Sequence, residues 1–264
     1  MTTARSYFER QDERTFAATD HVSGAWDVAE QHVGPALGLL VHLVEADRDA
    51  RGRSDLVVGR LSFDILGTMP VGQVTTSVEV VRPGRTIELV EATLTASGRD
   101  TVRVRAWLLQ ACDTSSVAGT AHPHLPPPEE LPAWDPTSVW PGGFIASAQV
   151  RRVELEPGRA RYWVRTDVPL LADEPVSRLA AAAGLVDIAN GITVRVSPRA
   201  LAFPNVDLTA HLFGEPHGDW LGFDTTVSFG PGGLGVTSSV LHDENGPFGV
   251  LAQALTLRQL PASA

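Results

Sequence analysis

Three polar residues in the second half of this 264-residue chain stand among apolar neighbours. Asp187 is the only acid in the run Leu179 to Ile192, which is otherwise Ala, Leu, Val, Ile and Gly apart from Asn190. A helix that is apolar nearly all round is a buried helix. A carboxylate carried into it loses hydration, and desolvation raises its pKa toward the range of a general base; the other outcome is that backbone N–H groups claim it as a pin for a neighbouring loop. Gln253 lies in Leu251-Ala252-Gln253-Ala254-Leu255-Thr256-Leu257, and strand alternation puts it on the face of Leu251, Leu255 and Leu257. A buried amide there needs partners, which a carboxylate or a water supplies; otherwise it faces a strand end or solvent. Asn205 opens a run in which alternation places Asn205, Asp207, Thr209 and His211 on one face, opposite Val206, Leu208, Ala210 and Leu212. One polar face is ordinary for a half-exposed strand, so Asn205 gains meaning only beside the other two.

The rest of the inventory excludes several chemistries. All 21 basic residues are arginine, so neither a Schiff-base lysine nor a phosphate-loop lysine exists. A formal charge of −10 argues against a nucleic-acid partner, since phosphate binding needs a basic face. Gly-x-Ser-x-Gly, His-Glu-x-x-His and paired Cys-x-x-Cys are absent, and no metal or cofactor is expected. Gly230-Pro231-Gly232-Gly233-Leu234-Gly235 is followed by a strand-like run, which makes it a wide turn rather than a phosphate cradle. Cys112, the single cysteine, ends an apolar strand and reads as a small core residue. With no apolar stretch of membrane-spanning length and no signal-like start, the expectation is a cytoplasmic protein without membrane contact.

The elements that must position these residues come twice. Leu61-Ser62-Phe63-Asp64-Ile65-Leu66 begins a series of β-rich runs with a turn at Ser97–Asp100 and a last run from Val102 to Gln110. Asn205-Val206-Asp207-Leu208-Thr209 begins a similar series, with a turn at His242–Gly246 and a last run from Gly249 to Arg258. Aligning Asp64 with Asp207 and Ala106 with Ala252 gives offsets of 143 and 146, too long for a solenoid and right for two related domains. Each has one candidate helix, Pro35 to Ala46 in the first and Val176 to Asn190 in the second, where Gly191 is the stop signal. Short turns rather than helices join the runs, so the sheets are antiparallel. Seven prolines between Asp113 and Gly143 mark an extended tether. The expected division is residues 1–112, a Pro-rich linker 113–143, and 144–264 with the reactive residues.

In order and spacing these segments resemble the double-hotdog acyl-CoA thioesterases, the superfamily of the bacterial type II enzyme. The resemblance rests on Gly34-Pro35-Ala36-Leu37-Gly38-Leu39-Leu40, on Asp187 in the second helix, on Pro204 to His211, on Asp219-Trp220-Leu221-Gly222-Phe223 and on Ala252-Gln253. It implies an α+β class: a tandem hotdog, each copy a long helix on a curved antiparallel sheet. It also implies a hydrolytic triad of aspartate, a hydroxyl residue and glutamine, in which Asp187 and Gln253 match and the hydroxyl position falls on Asn205, with Thr209 available four residues on. The implied reaction is release of free acid and coenzyme A from acyl-CoA or another acyl thioester by Asp-activated water, as part of fatty acid metabolism. Phe203, Leu212 and Phe223, with Thr209, are expected at the substrate, the N-terminal half is expected to wall the acyl pocket, and association into a homo-oligomer is compatible with the family. The alternatives are a non-catalytic acyl-CoA or acyl-carrier binder, a structural double hotdog with no ligand, and a hotdog hydratase or dehydratase, for which Gly218-Asp219 supplies only a fragment of the motif.

Overall fold

The structure is a computed structural model, and it describes residues 6–260. In the first half β1 (Phe8–Arg10) and β2 (Thr15–Ala18) precede a long helix, α1 (Val33–Ala50), and four long strands: β3 (Leu56–Ile65), β4 (Gln73–Arg82), β5 (Ile87–Ala96) and β6 (Arg99–Gln110). In the second half β7 (Ala133–Trp134), α2 (Gly143–Ser147), β8 (Ala148–Glu156) and β9 (Arg159–Thr166) lead to two short helices, α3 (Arg178–Ala183) and α4 (Ala189–Ile192). Then follow β10 (Leu201–Ala202), β11 (Asp207–Leu212), β12 (Leu221–Phe229), β13 (Leu234–Asp243), β14 (Gly246–Thr256) and β15 (Arg258–Gln259). Among the described residues thirteen strands make one continuous sheet in the order β1-β2-β4-β5-β6-β3-β11-β14-β13-β12-β9-β8-β7, with its ladders antiparallel. The turn between β5 and β6 is tight because Ser97 and Gly98 both take positive φ, 51° and 72°.

The two halves meet where β3 pairs with β11, and at that ladder Ser62 faces Thr209, 147 residues on. The same interval carries one half onto the other. Val90 opposite Ala106 becomes Thr237 opposite Gln253, and Thr76 opposite Leu94 becomes Phe223 opposite Leu241. The alignment expected from sequence is therefore corrected: the counterpart of Gln253 is Ala106. Asp64 and Asp207 are cross-strand neighbours at the junction rather than equivalents.

α1 is longer than expected and is buried from Gly34 to Val44, apart from His42. The helix expected over Val176 to Asn190 is broken into α3, a 3₁₀ turn at Val186–Ile188, and α4, and Gly191 falls inside α4 rather than after it. The break lies where the second half meets α1. A β-carbon added at Gly38 would stand 2.8 Å from the Ala180 carbonyl oxygen and 2.9 Å from the Gly184 Cα, and one at Gly34 would stand 2.8 Å from the Gly184 oxygen. The chains pass backbone against backbone, which only glycine permits.

Of the segment expected as a linker, residues from Ala133 onward join the second half: β7 pairs with β8, and buried Trp140 donates its indole N–H to Gly191 O at 2.8 Å. Earlier in the segment Trp163 Nε1 donates to Pro126 O at 2.8 Å, which lays the prolines along β9. Cys112 is exposed, because β6 ends at Gln110 and the chain has already left the sheet. Among the described residues no helix is long and apolar enough to cross a membrane.

The contact of Gly38 with α3 is directly testable. Gly38→Ala should lower stability by roughly 1–3 kcal/mol even though alanine favours a helix, because the atoms it meets are backbone and cannot rotate away. Urea denaturation should show this loss, whereas Gly119→Ala, with nothing near the new methyl, should leave the midpoint in place. An undiminished midpoint for Gly38→Ala would mean that α1 and α3 can part at little cost.

Candidate active site

Asp187 is 4% exposed, in the 3₁₀ turn between α3 and α4. Its Oδ1 accepts from Asn205 Nδ2 at 2.6 Å and from Gln253 Nε2 at 3.1 Å. The three residues picked out in the sequence thus converge on one carboxylate oxygen. Burial pushes the carboxyl up from its ordinary 3.8 to about 7, against the opposite pull of the two amide donors. The other oxygen, Oδ2, lies 3.6 Å from Nδ1 of His32. This contact is not an ion pair in neutral solution, because burial holds the imidazole down to about 3. Nδ1 caps α1 by accepting from Gly34 N at 3.1 Å, and the ring stacks on Phe144 with centroids 4.1 Å apart.

Asn205 reaches Asp187 through an irregularity that alternation does not reveal. Thr209 faces Ala252 in the β11–β14 ladder, while Asn205 bridges Leu255, so four steps on one strand oppose three on the other. One extra residue in a ladder is a bulge, and it reverses the side to which preceding side chains point. Asp207 makes good the interrupted ladder: its Oδ1 accepts from Ala254 N at 2.6 Å, while Val206 N donates to Ala254 O at 3.0 Å. Asn205 consequently turns to the inner face beside Gln253. Thr209 stays on the outer face, where it opposes exposed Ala252 and its hydroxyl lies 3.1 Å from Ser62 Oγ. The expected common face of Asn205 and Thr209 does not exist, and Thr209 lies on the wrong side of the sheet to meet a substrate at Asp187.

A cavity of about 540 Å³ opens beside these groups. Asp187, Asn190 and Asn205 line it from the second half; His32, Trp26 and Met69 are among its walls from the first. The first half therefore does wall the cavity. Of the apolar residues expected at the substrate, Phe203 is buried behind the wall, with ring centroids 5.4 Å from Trp26 and 5.9 Å from Trp140. Phe223 is stacked in the core on Tyr162 at 4.9 Å. Leu212 ends β11 packed against the core, and none of the three lines the cavity. These side chains pack into the core under the helices, whereas the cavity is lined from both halves at their seam.

The sequence points to the first half as a wall, but not to His32, Trp26 or Met69 as the residues that form it. His32 does precede an apolar run at the position of a helix cap, but nothing local ties it to a residue 155 positions later (187 − 32). Only the junction of the two halves brings them together.

The model of the acyl-CoA thioesterase N-terminal domain matches residues 22–109, and that of the acyl-CoA thioesterase C-terminal domain matches residues 121–257. No curated protein matches the sequence. Among solved structures, the chain is similar to a conserved protein of unknown function with hot dog fold from Alicyclobacillus acidocaldarius, with TM-score 0.72 and 16% identity over 96% of each chain. It is also similar to the acyl-CoA thioesterase II TesB2 from Mycobacterium marinum, with TM-score 0.69 and 17% identity over 96% of each chain. For the tesB protein of Mycobacterium avium subs paratuberculosis the TM-score is 0.65, at 18% identity over 95% of this chain and 96% of that one. At such identities the likenesses establish the fold, a tandem hotdog. With both halves matched by its domain models, the chain belongs to the acyl-CoA thioesterase family.

Proposed function

We propose that the protein hydrolyses acyl-CoA, or a related acyl thioester, with Asp187 as general base. The observation that carries this reading is one buried carboxylate with a raised pKa, bound by two side-chain amides through a single oxygen, at the wall of a cavity large enough for an acyl group. Because Oδ1 is engaged by Asn205 and Gln253, Oδ2 is the oxygen left to take a proton. In the proposed reaction ionised Asp187 withdraws a proton from a water held against the amides, and the water oxygen attacks the thioester carbonyl carbon. The carbon–sulfur bond then breaks, the thiolate takes up a proton, and free acid and coenzyme A leave. A donor for the developing oxyanion is offered at the start of α1 by the backbone N–H of Val33, which lines the cavity; Gly34 N is engaged by His32 and Pro35 has none.

Asn205 occupies the position where the family resemblance implies a hydroxyl. Its amide supplies the donor to Asp187 that the site requires, so the departure changes the donor group and keeps the hydrogen bond. A hydratase needs a second acid–base group beside the aspartate. His32 is the histidine nearest Asp187, but its Nδ1 is engaged in capping α1 and burial keeps it uncharged, which favours hydrolysis over hydration.

Asp187→Asn should reduce thiol release from acyl-CoA by about two orders of magnitude or more, the range of general-base catalysis. Full activity in that variant would exclude Asp187 as the base. For the wild type, kcat/KM should rise with pH to a plateau above an apparent pKa of about 7, because only the ionised carboxylate acts.

Stability should move the other way. A carboxyl whose folded pKa, about 7, lies above its ordinary 3.8 binds a proton on folding, so its stabilising contribution is complete below the unfolded value and is lost as pH rises through 7. Asp187→Asn should accordingly be more stable than wild type at pH ~8, by a few kcal/mol, and the difference should shrink toward pH ~5. Denaturation midpoints at the two pH values measure this directly, and a pH-independent difference would contradict it.

A further inference from the structure

Gln253 has two ends, and Asp187 accounts for only one. The Nε2 group donates to Asp187, while Oε1 is buried without a hydrogen-bond partner among the described residues. Directly opposite Gln253 in the β13–β14 ladder stands Thr237. Thr237 is 1% exposed, like Gln253, and its Oγ1 is also buried without a partner. Opposed side chains on one face have β-carbons only ~4.5–5.5 Å apart, so rotation about Thr237 χ1 and of the amide brings the hydroxyl and Oε1 within reach. A threonine hydroxyl donates; an amide oxygen accepts.

The first half supplies an internal comparison. At the same register 147 residues earlier stand Val90 and Ala106, both fully buried and apolar. The next pair repeats the contrast: Thr225 and Ser239, whose hydroxyls are 2.7 Å apart, correspond to Val78 and Ala92. The fold itself is thus built with an apolar pair at this register, and the threonine accompanies the glutamine only in the half that carries Asp187.

We propose that Thr237 is a positioning residue for the reaction: its hydroxyl donates to Gln253 Oε1 and so fixes the amide with Nε2 toward Asp187. With the amide reversed, Oε1 would confront Asp187 Oδ1, two acceptors that tolerate one another only when the carboxyl is protonated. Loss of the hydroxyl would therefore reduce the ionised, active fraction at neutral pH. The titratable and charged groups around Asp187 are His32 at the start of α1 and, along the same cavity, Asp27, Glu30 and Arg258; none lies on β13 or β14.

This assignment rests on Asp187 acting as the base, and the experiment separates the two. Thiol release by full-length Thr237→Val, Thr237→Ser, Asp187→Asn and wild type is measured across pH, together with melting temperatures. Valine keeps the shape of threonine and matches Val90. In Thr237→Val, kcat should fall about tenfold with KM little changed, the acid limb of the pH–rate profile should move upward, and the melting temperature should hold or rise. Thr237→Ser should restore both kcat and the limb. Wild-type kcat and pH profile in Thr237→Val would overturn the assignment, and so would a serine variant as impaired as the valine one. If Asp187→Asn alone retains full rate, the base assignment fails and this one with it; if Asp187→Asn is inactive while Thr237→Val is unaffected, only Thr237 is excluded.

Discussion

The β3–β11 ladder is the constraint from which the rest of the molecule follows. Once two sheets share a strand boundary their neighbouring strands are fixed ~4.8 Å apart, and the helices lying on them are forced together. The chain meets this by passing α1 against α3 with glycines at the crossing, where side chains would collide. The same crossing brings the start of α1, with its cap His32, up to the turn that carries Asp187.

Desolvation also sets the protonation of the carboxyl at the candidate site. Two amide hydrogen bonds favour the charged form of Asp187, but burial outweighs them, and the carboxyl titrates near neutrality. On the proposed reading, this balance provides a base that ionises near neutrality, at some expense to stability. The amides are anchored differently: Gln253 by a long central strand, Asn205 by a short bridge just outside one. Both therefore depend on the register of β14, which is locked on either side by β11 and β13.

Much of this was legible in the sequence. The duplication, the antiparallel connections and the family were visible, as was the exceptional position of Asp187 and Gln253, because a polar residue in an apolar pattern violates a strong local rule. What local rules could not show depends on contacts between distant segments. The helix carrying Asp187 reads as continuous from Val176 to Asn190, and it is the approach of Gly38 to Gly184 that accompanies its interruption. His32 shows nothing unusual until α1 is docked. The two aspartates are alike in type and lie side by side in the structure without being equivalent, whereas the true correspondence pairs Gln253 with Ala106.

The bulge ahead of β11 illustrates how little of a site can reside in residue identity. A strand is a parity device: counting by one moves a side chain from solvent to interior. Here a single uncompensated residue between Asn205 and Thr209 sets the parity for everything before it, and Asp207 repairs the ladder that the miscount opens. Two chains could share every polar residue of this site and differ only in whether that count is odd or even. One would direct its amide at the carboxylate, and the other would direct it at water.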